Sequence, residues 1–150
     1  MAERVRRVNP SCDVQALVKR YDPSDDEFIP SLHADFIIDA IDDVPAKVAM
    51  AVCCWKHKIP EISSMGTGNR LHPEMLEIVD IYKTRECHLA RKMRKALKEA
   101  RVRHLPVVYS REPAHKIIGE GYQPGSISFV PPVSGMMMAG YVIREILKKK

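Results

Sequence analysis

Apolar and polar positions along this chain follow two rhythms, and the change from one to the other marks out its elements. Residues 1–8 are charged and helix-compatible and run into Asn9-Pro10. With no capping residue or apolar staple before them, they read as the last two turns of a helix. In residues 12–18, Val14, Ala16 and Val18 alternate with other positions, the period of a half-buried strand. Pro23, Ser24 and Asp25 ahead of Phe28 and Ile29 signal a short surface helix within residues 22–31. Residues 35–42 carry an apolar run that suits a strand buried on both faces. A helix then spans residues 44–57, with Pro45 near its first position and Asp42 and Asp43 before it, all favourable at a helix N-terminus.

The second half continues the alternation. Residues 62–65 read as a strand with residues 66–69 as its exit loop, and residues 76–81 alternate again. Residues 87–100 place Leu89, Met93, Leu97 and Ala100 on one helical face. Residues 105–109 and 127–130 read as strands, residues 134–149 as an apolar helix with a lysine tail, and residues 111–125, interrupted by proline and glycine, as a loop. Strands alternating with helices predict an α/β fold with a mixed sheet, in one domain over residues 1–150. A nucleotide-binding α/β domain ordinarily opens with a strand, a Gly-rich turn and a helix. No such unit precedes residue 35.

Composition narrows the picture. Lys and Arg number 24 against 19 for Asp and Glu, so the chain carries +5 and can meet a polyanion. The four cysteines, Cys12, Cys53, Cys54 and Cys87, form no CxxC pair and no disulfide framework, which argues for reduced thiols and against a zinc site. No run reaches the roughly 20 apolar residues that span a bilayer. The charged start lacks the apolar core of a signal peptide, so a cytoplasmic protein is expected.

Ile38-Asp39-Ala40-Ile41-Asp42, followed by Pro45 and Lys47, resembles the Asp-x-x-Asp strand-end motif of the ThiF/MoeB/HesA adenylating superfamily. Residues 1–10 resemble the end of the helix that follows that family's ATP-contacting lysine. Residues 65–69, 79–84, 105–110 and 125–130 resemble its later segments, so the likeness covers nearly the whole chain. It implies the later part of a Rossmann-like adenylating domain, a homodimer, and a requirement for ATP and magnesium. The branch it most resembles acts on tRNA, adenylating the carboxylate of threonylcarbamoyladenosine so that loss of AMP closes a ring. Carboxylate oxygen leaves poorly, whereas an acyl-adenylate carries a good leaving group.

The resemblance gives Asp42 a place near magnesium and the phosphates. The residues alone allow an equal alternative, that Asp42 only caps the following helix. Asp39 enters the same cofactor-binding set, in a supporting and more structural part. The family's Gly-rich phosphate loop, arginine segment and lysine would all lie upstream of Met1, so the chain on its own is expected to be inactive. Gly66-x-Gly68 does not replace that loop, because it lacks the third glycine and an immediate helix. Two other functions stay open: activation of a ubiquitin-like sulfur carrier, disfavoured by the missing CxxC pairs, and a non-enzymatic dimerisation or tRNA-docking module.

Arg91, Lys92, Lys95 and Lys98, with Arg94, Arg101 and Arg103, set cations on the polar side of one helix and its exit. These are candidates for tRNA backbone contacts or simply a solvated face. Cys87, at a helix start, is read as structural, and Cys53 and Cys54 as core. The six histidines show no ligand spacing, and Trp55 reads as a packing residue. Residues 136–138 with Val142, Ile143, Ile146 and Leu147 either pack on the sheet or form part of a dimer face.

Overall fold

The computed structural model describes residues 1–115 and 124–148. Helix α1 (Ala2–Val8) buries none of its residues and is joined to the following segment by Arg6, whose Nη2 donates to the Val14 carbonyl at 2.7 Å. Residues 12–18 are not a strand. Leu17 is 61% and Val18 fully exposed, and no ladder partner lies among the described residues. Alternation specifies a strand only where a neighbour takes up its backbone groups. The expected surface helix condenses to one turn, α2 (Phe28–Ser31), started by Asp25 Oδ1 accepting from the Phe28 N–H at 3.0 Å. Ile29 seals it onto the core.

Four strands form one mixed sheet: β1 (Ile37–Asp39), β2 (Glu61–Ser64), β3 (Leu76–Asp80) and β4 (Pro106–Ser110), in the order β1-β2-β4-β3. β1, β2 and β4 are parallel, with Ile38 opposite Ile62 and Ser63 opposite Val107. β3 closes the far edge antiparallel to β4. Parallel neighbours need crossover helices. Helix α3 (Val44–His57) makes the β1-to-β2 connection, and α4 (His88–Glu99) lies between β3 and β4 in the chain.

Period-two alternation divides the strands between two helical layers. Val107 and Tyr109 face Ala51 of α3 and Ala90, Met93 and Leu97 of α4, while Ile62 and Val108 face Val130 and Met138 of helix α5 (Val130–Leu147). β1 is shorter and less covered than its apolar run suggests. Ile37 and Asp39 are buried toward α3, but α5 packs over β2 and β4 and leaves Ile38 47% exposed.

Two further expectations are corrected. Residues 127–130 form no strand; they lead into α5, which begins four residues before Ser134. Pro131 and Pro132 can occupy the first turn because those positions need no N–H donor and proline's φ suits a helix, so Val130 is carried into the core instead. Ala100 is exposed at the α4 C-cap rather than part of its buried stripe. On α5, Met138 is buried and Met137 and Val142 pack against the sheet, whereas Met136, Ile143, Ile146 and Leu147 point outward. The loop expected over residues 111–125 holds for residues 111–115 and 124–125; its middle lies outside the described residues.

The charge inside this core is concentrated at the end of β1. Lys47, in the first turn of α3, is fully buried, and its Nζ lies 2.8 Å from Asp39 Oδ2 and donates to the Ile41 carbonyl at 3.2 Å. Ser63 Oγ donates to the same Asp39 oxygen at 2.6 Å, and Asp39 Oδ1 accepts from the Ile41 N–H at 3.1 Å. Glu61, opening β2 nearby, is pushed up to about 8, by burial first and by the Asp39 charge second, and so enters the sheet as a neutral acid at pH 7. Lys47→Met leaves the Asp39 carboxylate buried without its counter-ion, and is expected to cost about 3–5 kcal/mol. Urea denaturation of the variant measures it, and a midpoint equal to the parent's would show that the pair does not hold this corner.

Candidate functional site

The parallel strands β1 and β2 end at a common edge, and an open cleft of about 1250 Å³ lies against it. Open α/β sheets bind ligands at the carboxyl ends of their strands. One side of the cleft comes from residues 40–42 after β1, and its floor from Ser64, Met65 and Gly66 at the end of β2. The other side comes from the start of α4 and from Arg70, Arg91 and Arg94, with Ser134 and Met138 of α5 behind.

Asp43, and not Asp42, caps α3: its Oδ1 accepts from the Ala46 N–H at 3.1 Å, and its Oδ2 pairs with Arg20 at 3.0 Å. That backbone N–H first, and Arg20 second, hold the Asp43 carboxyl below the usual carboxylate range. The helix N-terminus is therefore served without Asp42, which is exposed, lines the cleft, and has no hydrogen bond or ion pair to another of the described residues. Asp39 sits apart from it. Both its oxygens are taken by Lys47, Ser63 and the Ile41 N–H, and its side chain is wholly buried, so it braces the turn and does not line the cleft.

No group of three or more His, Cys, Asp or Glu side chains able to cage a metal is found among the described residues. The donor set nonetheless fits magnesium, which is commonly held by one or two carboxylates together with substrate phosphates rather than by a protein cage. Asp42 and, on the opposite wall, Glu86 line the cleft with no side-chain partner among the described residues, and Asp42 is the one at the end of a parallel strand.

The opposite wall carries three arginines and Glu86. Arg94 is pinned, its Nη1 donating to the Thr84 carbonyl at 3.0 Å and to the Thr84 hydroxyl. Arg91 is exposed, with its Nη2 2.9 Å from His88 Nδ1. Lys92, Lys95 and Lys98 are exposed on α4 and do not line the cleft; of the four predicted nucleic-acid contacts, Arg91 alone reaches it. Cys87 is buried as the N-cap of α4, its Sγ accepting from the Ala90 N–H at 3.5 Å. Cys53 and Cys54 lie in the core, and Trp55 is 41% exposed on the outer side of α3.

Two loops read from the sequence, after β2 and after β4, shape this wall by a clasp that the sequence did not reveal. Asn69 takes a left-handed backbone (φ 56°), which asparagine tolerates better than most residues. Its N–H donates to the Gly125 carbonyl at 2.8 Å, its Oδ1 accepts from the Gly125 N–H at 2.9 Å, and its carbonyl accepts from the His115 N–H at 3.0 Å. At Gly68 a Cβ would come within 3.2 Å of Pro124 Cβ, so the two loops touch where only glycine fits easily. Glu112, 3% exposed, then accepts from the backbone N–H groups of Leu71 and His72 and lies 2.9 Å from His115 Nε2. Burial would raise its pKa, but the His72 and Leu71 N–H groups and the His115 ring outweigh it and hold the carboxyl below its ordinary value. The Gly-Asn pair was the available sequence signal for this loop. Lys47, set among Met50, Ala51 and Cys54 on one helical face, was the signal for the buried ion pair.

A mixed sheet between two helical layers, with an open cleft at the ends of its parallel strands, defines an α/β protein. The chain belongs to the ThiF family, whose family model matches residues 1–150. It is 34% identical to the tRNA threonylcarbamoyladenosine dehydratase of Bacillus subtilis (strain 168), a match covering 99% of this chain and 65% of the relative. With the protein of that name from Escherichia coli (strain K12) it is 36% identical, over 65% of this chain and 37% of the relative. The crystal structure of E. coli tRNA N6-threonylcarbamoyladenosine dehydratase, TcdA, in complex with AMP superposes with a TM-score of 0.89 at 28% identity, covering 99% of this chain and 63% of that one. Its complex with ATP gives a TM-score of 0.87 at 28% identity, covering 99% and 62%. The chain thus spans less than two thirds of the length of these relatives. No described helix is long and apolar enough to cross a membrane.

Because Glu112 has a depressed pKa, its contribution to stability is fully present above its ordinary value of 4.5 and is lost as pH falls through its lower folded value. Glu112→Gln is expected to cost about 1.5–3 kcal/mol at neutral pH. Thermal unfolding followed from neutral to acid pH should show that difference shrinking below pH 4.5. A constant difference would assign the effect to packing.

Proposed function

We propose that the complete protein is a cytoplasmic enzyme that adenylates the carboxylate of threonylcarbamoyladenosine in tRNA, using ATP and magnesium, and that the cleft at the ends of β1 and β2 houses this step. The observation that carries the reading is Asp42, a carboxylate with no partner among the described residues, presented to the cleft while its neighbour Asp43 does the capping. The AMP and ATP complexes of the structural neighbours, and the names of the relatives, support it from outside the chain.

In this reading Asp42 fixes the cation, and the buried Lys47–Asp39 pair fixes Asp42 by locking the turn between them. Bound ATP and magnesium supply the adenylyl group and neutralise charge that develops on the phosphates. Arg91 and the α4 lysines draw in the tRNA backbone. A second copy of the chain is the partner proposed for the outward face of α5, where Met136, Ile143 and Leu147 are exposed.

Asp42→Asn in the complete protein is expected to lower magnesium-dependent ATP affinity at least about tenfold, or about 1.4 kcal/mol, without moving the unfolding midpoint. Calorimetry with and without magnesium reads this directly, and equal affinity in both proteins would remove Asp42 from the site. Reversal of Lys95 and Lys98 to Glu should weaken tRNA binding and lower the slope of log affinity against log salt by about 1 per lysine. Unchanged binding at low salt would leave α4 as a solvated face.

A further inference from the structure

Arg70 stands out among the three arginines of the cleft wall. Arg94 is pinned to Thr84 and Arg91 lies exposed against His88, but Arg70 is only 4% exposed and forms no ion pair with a carboxylate among the described residues. Its Nη2 donates to the Glu86 carbonyl at 3.2 Å, while Nε and Nη1 are buried with no acceptor among the described residues. A guanidinium cannot shed its proton to escape burial, and it carries five N–H donors in a planar fork. An unmatched buried charge of this kind is unfavourable in the ligand-free protein.

The position is nevertheless built with care. On one side Gly68 and the left-handed Asn69 lock the chain to residues 115 and 125; on the other, Glu112 takes the N–H groups of Leu71 and His72. Arg70 is held between two clamps, so its orientation is set by backbone on both flanks. The topology also places it away from Asp42. Asp42 follows β1 at one edge of the sheet, whereas the loop bearing Arg70 leaves β2 and passes to β3 at the other edge. The cleft therefore has Asp42 at one end, and at the other three arginines with Glu86 among them, where the Arg70 fork is short of acceptors.

We propose that Arg70 is a substrate-recognition residue whose guanidinium receives an oxyanion of the acceptor substrate at the end of the cleft opposite Asp42. An oxyanion presents two acceptors in a plane, the geometry that a guanidinium fork matches and a lysine does not. The assignment rests on the reading of this cleft as the place where a tRNA carboxylate is activated. That substrate offers the oxyanion in two forms, the carboxylate of its modified side chain and the phosphates of its backbone.

Two probes separate these sources in the complete protein. Threonylcarbamoyladenosine nucleoside carries the carboxylate and no phosphate, and an unmodified RNA stem-loop carries phosphates and no such carboxylate. Arg70→Met is expected to weaken binding of one or both probes at least about tenfold while leaving magnesium-dependent ATP binding as in the parent. Loss confined to the nucleoside assigns the carboxylate, and loss confined to the stem-loop assigns a phosphate. If the parent binds the probes and Arg70→Met binds them equally well, Arg70 has no recognition role and the proposed function stands without it. If the parent binds neither probe, the acceptor reading of the cleft falls and this assignment with it. Should Arg70→Met not fold, Arg70→Lys keeps the charge and loses the fork. It is then expected to show the same selective loss, and parent-like affinity for both probes would overturn the proposal.

Discussion

A lysine ammonium and an aspartate carboxylate, both without exposed surface and 2.8 Å apart, join the first strand to the helix that follows it. Lys47 comes from the first turn of α3, where the helix dipole opposes a cation, and Asp39 comes from the end of β1. Neither is favourable alone in that place. Together, with Ser63 and both backbone groups of Ile41, they satisfy one another and fix residues 39–41 in a single path. The consequence appears one residue further on, where Asp43 is placed to cap α3 and Asp42 is turned out to the cleft. Ion pairs of this sort add little net stability over an apolar core, but they tolerate few alternative arrangements.

The rest of the cleft is made by a different device. Its far wall combines the start of α4 with loops that have no ladder to hold them, and these loops are fastened by side chain to backbone contacts at Asn69 and Glu112. Glu112 serves the Leu71 and His72 N–H groups of the β2-to-β3 loop and Asn69 serves the Gly125 N–H of the segment before α5, donors that the loops would otherwise leave unpaired. The two walls then face each other across the ends of parallel strands, Asp42 on one and the three arginines with Glu86 on the other. In the proposed reaction the phosphates of the nucleotide and the anionic acceptor must approach one another against their mutual repulsion, and positive charge held on both sides of the cleft would offset it.

Much of the fold could be read from the residues, because period and capping chemistry are local. The helices over residues 44–57 and 87–100, the strands near residues 62 and 106, and the loop between Gly66 and Asn69 all follow from nearest-neighbour patterns. Expectations that required a partner fared worse. Residues 12–18 alternate as a strand should, yet nothing among the described residues pairs with them. Residues 127–129 lead into α5 and Val130 opens it, because two prolines favour a first helical turn over a ladder that needs N–H donors.

The site divides along the same line. Sequence alone identified the family and singled out Asp42, and it supplied both of the acids that could have capped α3. Only the tertiary structure decided between them, by giving the cap to Asp43 and burying Asp39 against Lys47. It also brought Arg70 to the cleft from a loop more than 20 residues away in the chain and left its guanidinium short of acceptors. The reason is physical. Helix and strand periods are written in residues a few positions apart, whereas an unpaired charge is defined by everything that packs around it, and that is settled only when distant segments meet.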